Sequence, residues 1–247
     1  MNFDTIINGY HISASYSDRE INEIFIPLLK ELTSLQKNLD RRILVMLAAP
    51  PATGKTTLLA FLKKLSIETE DITECQTIGM DGFHRRQEYL LSHTVMCNGK
   101  QVPMVDIKGA PITFDLPALT ERIKEITKGG TVSWPDYDRT LHNPVDNAIC
   151  VTGNIIILEG NYLLLNRDGW RELSQFADYT IKITADEAML KKRLIKRKMA
   201  GGTSYERSVE FVDFSDMSNV SECLQYSMDA DLELVLTENG FSPRSNL

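Results

Sequence analysis

Residues 49–56 read Ala49, Pro50, Pro51, Ala52, Thr53, Gly54, Lys55 and Thr56. Gly-Lys-Thr at the end of such a loop, between an apolar run and a helical pattern, is what a polyphosphate needs. Backbone N–H groups of the loop turn inward toward phosphate oxygens, and the following helix adds a favourable dipole. Gly54 lets the backbone come close. Lys55 reaches the β- and γ-phosphates of a nucleotide, and Thr56 offers a hydroxyl to Mg²⁺. With Thr57 in the first helical turn, the expected nucleotide-contacting set is 49–57. The pattern departs from its consensus at the first position, where Ala49 stands for glycine. That departure and the two prolines keep open a nucleotide-binding module without catalysis.

Phosphate binding alone does not define a reaction, so the acidic and basic positions matter. Met80–Arg85 contains Asp81, Gly82 and His84. Pro135–Arg139 contains Tyr137 and Arg139. Leu158–Leu165 contains Glu159. Open α/β sheets bind ligands beyond the carboxyl ends of their strands, where Asp81 and Glu159 are expected. Asp81 and Glu159 are candidate Mg²⁺ ligands together with Thr56, and Glu159 is also a candidate acceptor contact. Asp81-Gly82 reads equally as a turn, and Glu159 as a solvated strand-end carboxylate. His84 suits a hydrogen bond to substrate, support of Asp81, or a purely structural place. Arg139 suits a phosphate, carboxylate or polyol through its planar fork; a surface Arg beside Asp138 is the plain alternative. Asp115 directly precedes a helix and reads as an N-cap.

The elements that must position these residues alternate. Residues 18–37 have helical apolar spacing, with a Ser17/Glu20 capping box. Strands are expected at Ile43–Leu47, Cys75–Met80, Thr131–Trp134, Asn154–Leu158, Tyr179–Ile183 and Leu232–Leu236. Helices are expected from Lys55 to Leu65, from Leu116 to Ile126, over 186–199 and over roughly 204–226. Residues 84–113 lack a clean period and read as an irregular insertion. Strands alternating with helices argue for a parallel sheet with right-handed crossovers. The helix over 186–199 is strongly basic. Its Arg193 and Arg197 lie four apart and share a face before Gly201-Gly202. It is either a solvated face or a moving cover.

Composition narrows the function classes. The formal net charge of −7 gives no electrostatic reason to expect nucleic acid or an anionic membrane as partner. Cys75, Cys97, Cys150 and Cys223 form no CxxC pair, which argues against zinc and disulfides and suits a reducing compartment. No apolar leader and no long apolar run is seen, so a cytoplasmic chain is expected. Oligomeric state is open: the apolar face of the N-terminal helix serves a homo-oligomer or a core equally.

The Met80–Arg85, Pro135–Arg139 and Leu158–Leu165 motifs, in order after the phosphate loop, resemble the phosphoribulokinase/uridine kinase family, which includes type I pantothenate kinases. The Lys108–Asp115 stretch looks like its bacterial nucleoside/nucleotide kinase or fructose-kinase-like branch. The resemblance implies an α/β P-loop NTPase, a three-layer sandwich with parallel core order 2-3-1-4-5 and a helical lid. The resemblance runs from about residue 42 to the last strand, so residues 1–40 are expected as an N-terminal helical extension packed on a single kinase domain over 41–247, with an acceptor-side insertion at about 84–150 and a lid at about 186–203. It also implies ATP and Mg²⁺ as cofactors and a small-molecule acceptor. Asp81 would be the base for the acceptor hydroxyl. Tyr137 and Arg139 would face substrate, and Arg193 and Arg197 would close over the transferring phosphate beside Lys55. Uridine kinases carry Asp-His-Pro where this chain has Gly109-Ala110-Pro111. The missing aspartate counts against a ribonucleoside, and the Lys108–Asp115 likeness tilts the expected acceptor toward a sugar or other polyhydroxy compound, with nucleosides and pantothenate as alternatives. A regulatory GTPase would need an Asn-Lys-x-Asp motif, and none is present.

Overall fold

Strands whose two faces are both covered can be apolar at every position. Ile43–Ala48, here β3, is buried along its whole length. The computed structural model describes residues 1–7, 9–97 and 99–244. Before β3 come β1 (Asn2–Ile7) and β2 (Tyr10–Ser15), an antiparallel hairpin. A continuous helical run follows: α1 (Asp18–Glu20), a π-helical turn over Ile21–Phe25, and α2 (Ile26–Leu39). After β3 the chain forms α3 (Lys55–Glu68), β4 (Cys75–Gly79), α4 (Gln87–Ser92), β5 (Thr94–Cys97) and β6 (Lys100–Pro103). Then come α5 (Leu116–Thr127), β7 (Val132–Asp138), β8 (Asn143–Val151), β9 (Ile155–Gly160) and β10 (Tyr179–Ala185). The last elements are α6 (Glu187–Ala200), α7 (Tyr205–Phe211), a π-helical turn over Val212–Asp216, α8 (Met217–Tyr226), β11 (Leu232–Thr237) and β12 (Gly240–Pro243).

The main sheet has the order β4-β9-β3-β10-β11-β12. All neighbouring pairs are parallel except β11–β12. Counted from β3 in chain order, the parallel strands run 2-3-1-4-5, as the resemblance implies. One face packs against α2, α3 and α6 through Leu29, Leu32, Leu58, Phe61, Leu190 and Leu194. The other packs against α5, Trp134, Tyr162 and Trp170. The apolar face of α2 is thus used inside the chain.

Several elements differ from the sequence expectation. Residues 1–40 carry the β1–β2 hairpin as well as a helix. Residues 84–113 are not irregular throughout, since they hold α4 and the β5–β6 hairpin. The strand expected at Thr131–Trp134 runs on to Asp138 and pairs with β8. These hairpins are short or half-exposed, so their apolar alternation is weak. The helical stretch over 204–226 is interrupted by its π turn. The Ser17/Glu20 capping box is present.

The N-terminal segment is fastened at two points. Tyr16 stacks on Phe61 of α3 with ring centroids 4.2 Å apart, and Phe25 meets Phe61 edge-on at 6.0 Å. Glu20 is buried and accepts bonds from the Ser17 N–H at 2.8 Å and the Phe241 N–H at 2.8 Å. It ties the helix start to β12. Replacing Glu20 with alanine leaves both donors without this acceptor. We expect a loss of about 1–3 kcal/mol in urea unfolding. An unchanged midpoint would show that water replaces the carboxylate without cost.

Candidate active site

The phosphate loop leaves β3 under tight restraint. The Ala49 N–H donates to the Gly160 carbonyl at 3.2 Å, continuing the sheet one residue past β3. The Ala49 side chain is buried in the core, so a Cβ at the first consensus position is accommodated. Ala52 and Gly54 have φ of 68° and 82°. The left-handed region is ordinary for glycine and strained for alanine. Buried Thr53 closes the loop by donating its hydroxyl to the Pro50 carbonyl at 2.9 Å. Lys55 then opens α3.

Parallel pairing sets Leu47 opposite Glu159 and Ala48 opposite Gly160. The Thr56 hydroxyl therefore reaches Glu159 and donates to Oε1 at 2.6 Å. Glu159 Oε2 is buried without a hydrogen-bond partner among the described residues. Burial raises the Glu159 pKa, opposed by Lys55 and by the Thr56 bond; Asp81 adds to the rise and Arg139 opposes it. A buried carboxylate oxygen left unbonded beside a phosphate-loop hydroxyl fits a divalent cation.

Asp81 sits in a 3₁₀ turn over Met80–Phe83, just beyond β4. Gly82 is pressed against the Pro135 backbone, where a Cβ would overlap the carbonyl. The Trp134 indole N–H donates to the Gly79 carbonyl at 2.8 Å, and Phe83 meets Trp134 edge-on at 4.8 Å. This turn is thus held against β7, which brings Arg139 Nη2 to 3.5 Å from Asp81 Oδ2. Tyr137 lies within β7 and Arg139 just after it.

His84 stacks on Phe114 at 3.9 Å and meets Tyr137 edge-on at 5.2 Å. Its Nδ1 is buried without a partner among the described residues. Burial pushes its pKa down to about 4; Asp81 opposes this, and Lys108 and Arg139 reinforce it. The imidazole is therefore neutral near pH 7. Burial also pushes the Tyr137 phenol up to about 12, with Arg139 opposing.

Across the cleft, Arg193 Nη1 donates to the Ala52 carbonyl at 3.4 Å. Arg197, on the same helix, keeps accessible surface. Protein crowded around it lowers its pKa by desolvation; Asp216 and Asp81 oppose this and Arg139 reinforces it. Lys55, Thr56, Asp81 and Arg139 thus all act on Glu159. His84 and Tyr137 adjoin Asp81 and Arg139, and α6 brings Arg193 to the loop and Arg197 near Asp81 and Arg139. Asp115 caps α5 through the Ala118 N–H at 3.2 Å.

Sequence reasoning missed other groups. Buried Asp216 forms an ion pair with Lys198 at 3.3 Å, yet its Oδ2 has no hydrogen-bond partner among the described residues. Asn161 Oδ1 is buried and unpaired among the described residues. Lys108 Nζ donates to Gln87 Oε1 at 2.9 Å and to the His142 carbonyl at 3.0 Å, 5.1 Å from the Tyr137 ring centroid. Lys108 heads the Lys-Gly-Ala-Pro stretch, which was the signal for it. Asp216 and Asn161 carried no local signal.

Residues 44–235 match the phosphoribulokinase / uridine kinase family. The chain belongs to this family. It is 39% identical to the uncharacterized protein YggC of Escherichia coli, over 97% of this chain and 98% of that one. It is 31% identical to a "putative uridine kinase" of Schizosaccharomyces pombe, over 74% of this chain and 78% of that one. A "putative fructose transport system kinase" from Silicibacter sp. TM1040 superposes with a TM-score of 0.70 at 28% identity, over 82% of this chain and 98% of that one. The protein is thus a P-loop kinase of the uridine kinase, phosphoribulokinase and pantothenate kinase type. No helix among the described residues is long and apolar enough to cross a membrane.

His84 gives this kinase a pH signature. Between about 6.5 and about 4, the unfolded chain binds a proton that the folded imidazole refuses. Stability is therefore lost as pH falls through that window. We expect His84→Gln to lose less stability than the parent protein between pH 7 and pH 5, read as urea midpoints. Parallel losses would mean that His84 titrates normally.

Proposed function

We propose that the protein transfers the γ-phosphate of ATP to a hydroxyl of a small polyhydroxy metabolite such as a sugar. One observation carries the reading: Thr56 bonds to Glu159 at 2.6 Å while Asp81, on the neighbouring strand end, pairs with Arg139 at 3.5 Å. A phosphate loop with its acidic partner therefore shares a cleft with a second carboxylate and a cation on the acceptor side. Likeness to the fructose-kinase-like chain supports a sugar acceptor.

In this reading Lys55 and the loop N–H groups bind the β- and γ-phosphates. Thr56, Asp81 and Glu159 would hold Mg²⁺, whose charge would offset that of the phosphate oxygens. Asp81 accepts the proton of the attacking hydroxyl, and Arg139 fixes its carboxylate. Tyr137 and neutral His84 orient the acceptor. Residues 186–203 form the lid. Arg193 already touches the loop, and Arg197 faces the point where charge builds up on the transferring group. Lid closure excludes water, so that hydrolysis does not compete.

Coupled ADP release with a panel of sugars, nucleosides and pantothenate tests the reaction. We expect turnover only with an acceptor; release without one marks an NTPase. Lys55→Ala should nearly abolish turnover. Asp81→Asn keeps size and most hydrogen bonding but cannot take the proton, so kcat should fall roughly 10²-fold with ATP affinity kept. An equal loss of ATP affinity would make Asp81 mainly a metal ligand.

The lid has its own test. If Arg197 meets the phosphoryl group chiefly in the transition state, Arg197→Ala lowers kcat with little change in KM for ATP. Arg197→Lys should fall between, because a point charge does not reproduce the fork. Equal activity of all three forms would remove the lid from the mechanism.

A further inference from the structure

An ammonium that loses water without gaining a counter-ion is costly, and proteins seldom leave one so. Two lysines here follow that rule. Lys182 pairs with Glu233 at 2.6 Å, and Lys198 with Asp216 at 3.3 Å. Lys108 does not. It is half-buried, and among the described residues no carboxylate lies within ion-pair distance of its Nζ. Its two bonds go to neutral oxygens of Gln87 and His142, and an ammonium has a third donor. The nearby strand carboxylates are engaged elsewhere. Asp136 accepts from the Tyr137 N–H, and Asp138 from the Thr140 and Leu141 N–H groups. Asp81 is turned to Arg139.

The position of this cation gives it a use. Lys108 stands 5.1 Å from the Tyr137 ring centroid, and Tyr137 meets His84 edge-on. Arg139 follows two residues later on the same strand end. The acceptor side of the cleft is therefore lined by two cations, one aromatic ring and a neutral imidazole, with Asp81 as the carboxylate. The ammonium also lies over the Tyr137 ring, but a ring face is a weaker partner than a carboxylate. A neutral side chain could tie the Gln87 and His142 segments equally well, and the charge still lacks a counter-ion among the described residues.

We infer that the acceptor carries an anionic group, a carboxylate or a phosphate, which Lys108 receives beside Arg139 while the reacting hydroxyl faces Asp81. The inference rests on reading this cleft as the acceptor site of a kinase. Lys108 becomes a specificity-determining residue that separates acidic polyols from neutral ones.

Matched pairs test it: D-glucose against D-gluconate for a carboxylate, and D-ribose against D-ribose 5-phosphate for a phosphate. Binding to the complex with ADP and Mg²⁺ is read by calorimetry, which needs no turnover. We expect an anionic member to bind at least about tenfold more tightly than its neutral partner. Lys108→Gln keeps hydrogen-bond donors for Gln87 and His142 but loses the charge. It should cut the anion's affinity roughly 10- to 100-fold and leave the neutral sugar and ATP unaffected. Lys108→Arg should retain most of the preference. Equal binding within both pairs, an equal loss for both members in Lys108→Gln, or no binding by either anion would overturn the inference. ADP release from the same mixtures with ATP keeps the two readings apart. Anion binding without phosphorylation would fell the kinase reading alone, and phosphorylation of neutral sugars alone would fell only this one.

Discussion

The parallel register between β3 and β9 fixes the chemistry of this cleft. Ala48 lies opposite Gly160, and the Ala49 N–H extends the pairing by one more bond. Because the strands run the same way, both end on the same side of the sheet. The phosphate loop therefore starts beside Glu159, and the first turn of α3 returns Thr56 to its carboxylate. A slip of one residue would turn Glu159 to the other face and put an apolar neighbour in its place. Both strands are buried on both faces, so the close packing of their side chains, rather than an apolar alternation, makes such a slip costly.

The rest of the architecture holds α3 and the Asp81 turn against that frame. Phe61 of α3 is clamped by Tyr16 and Phe25 of the N-terminal segment, so a segment outside the matched family region supports the phosphate-loop helix. On the other face, Trp134 holds the strand end preceding Asp81 through the Gly79 carbonyl. Gly82 is the residue that allows β7 to come this close. Strand ends and the first turn of α3 thus carry Glu159, Asp81 and Thr56, while Arg193 and Arg197 belong to a separate helix, α6.

Within the cleft, local rules of stability are broken together. Glu159 Oε2, His84 Nδ1 and Asn161 Oδ1 are buried with no hydrogen-bond partner among the described residues, and Ala52 holds a left-handed φ. Each costs the folded chain free energy that an apolar packing or a glycine would avoid. Glu159 and Ala52 lie at the phosphate loop and His84 lies beside Asp81 and Arg139, where a ligand would supply missing partners. The half-buried charge of Lys108, set over the Tyr137 ring without a carboxylate partner among the described residues, belongs to the same pattern.

While the strand order came from the family resemblance, the sequence by itself determined the parallel sheet, the phosphate loop, and the acidic and basic residues offered for it. These are written in contiguous signals: long apolar runs, a Gly-Lys-Thr after a strand, Asp81-Gly82 and Glu159 at strand ends, and two arginines one helical turn apart. Sequence pattern also places Ser17, Glu20 and Asp115 as helix caps, because a cap is a contact over three residues. The short hairpins were hidden, because half-exposed strands of four to nine residues carry little alternation. Only the tertiary structure decided that Arg139 faces Asp81, that Arg193 touches Ala52, that Lys108 lies over Tyr137, and that Asp216 pairs with Lys198. Those partners lie far apart along the chain. Burial and the absence of a counter-ion are properties of packing, and no local pattern encodes them.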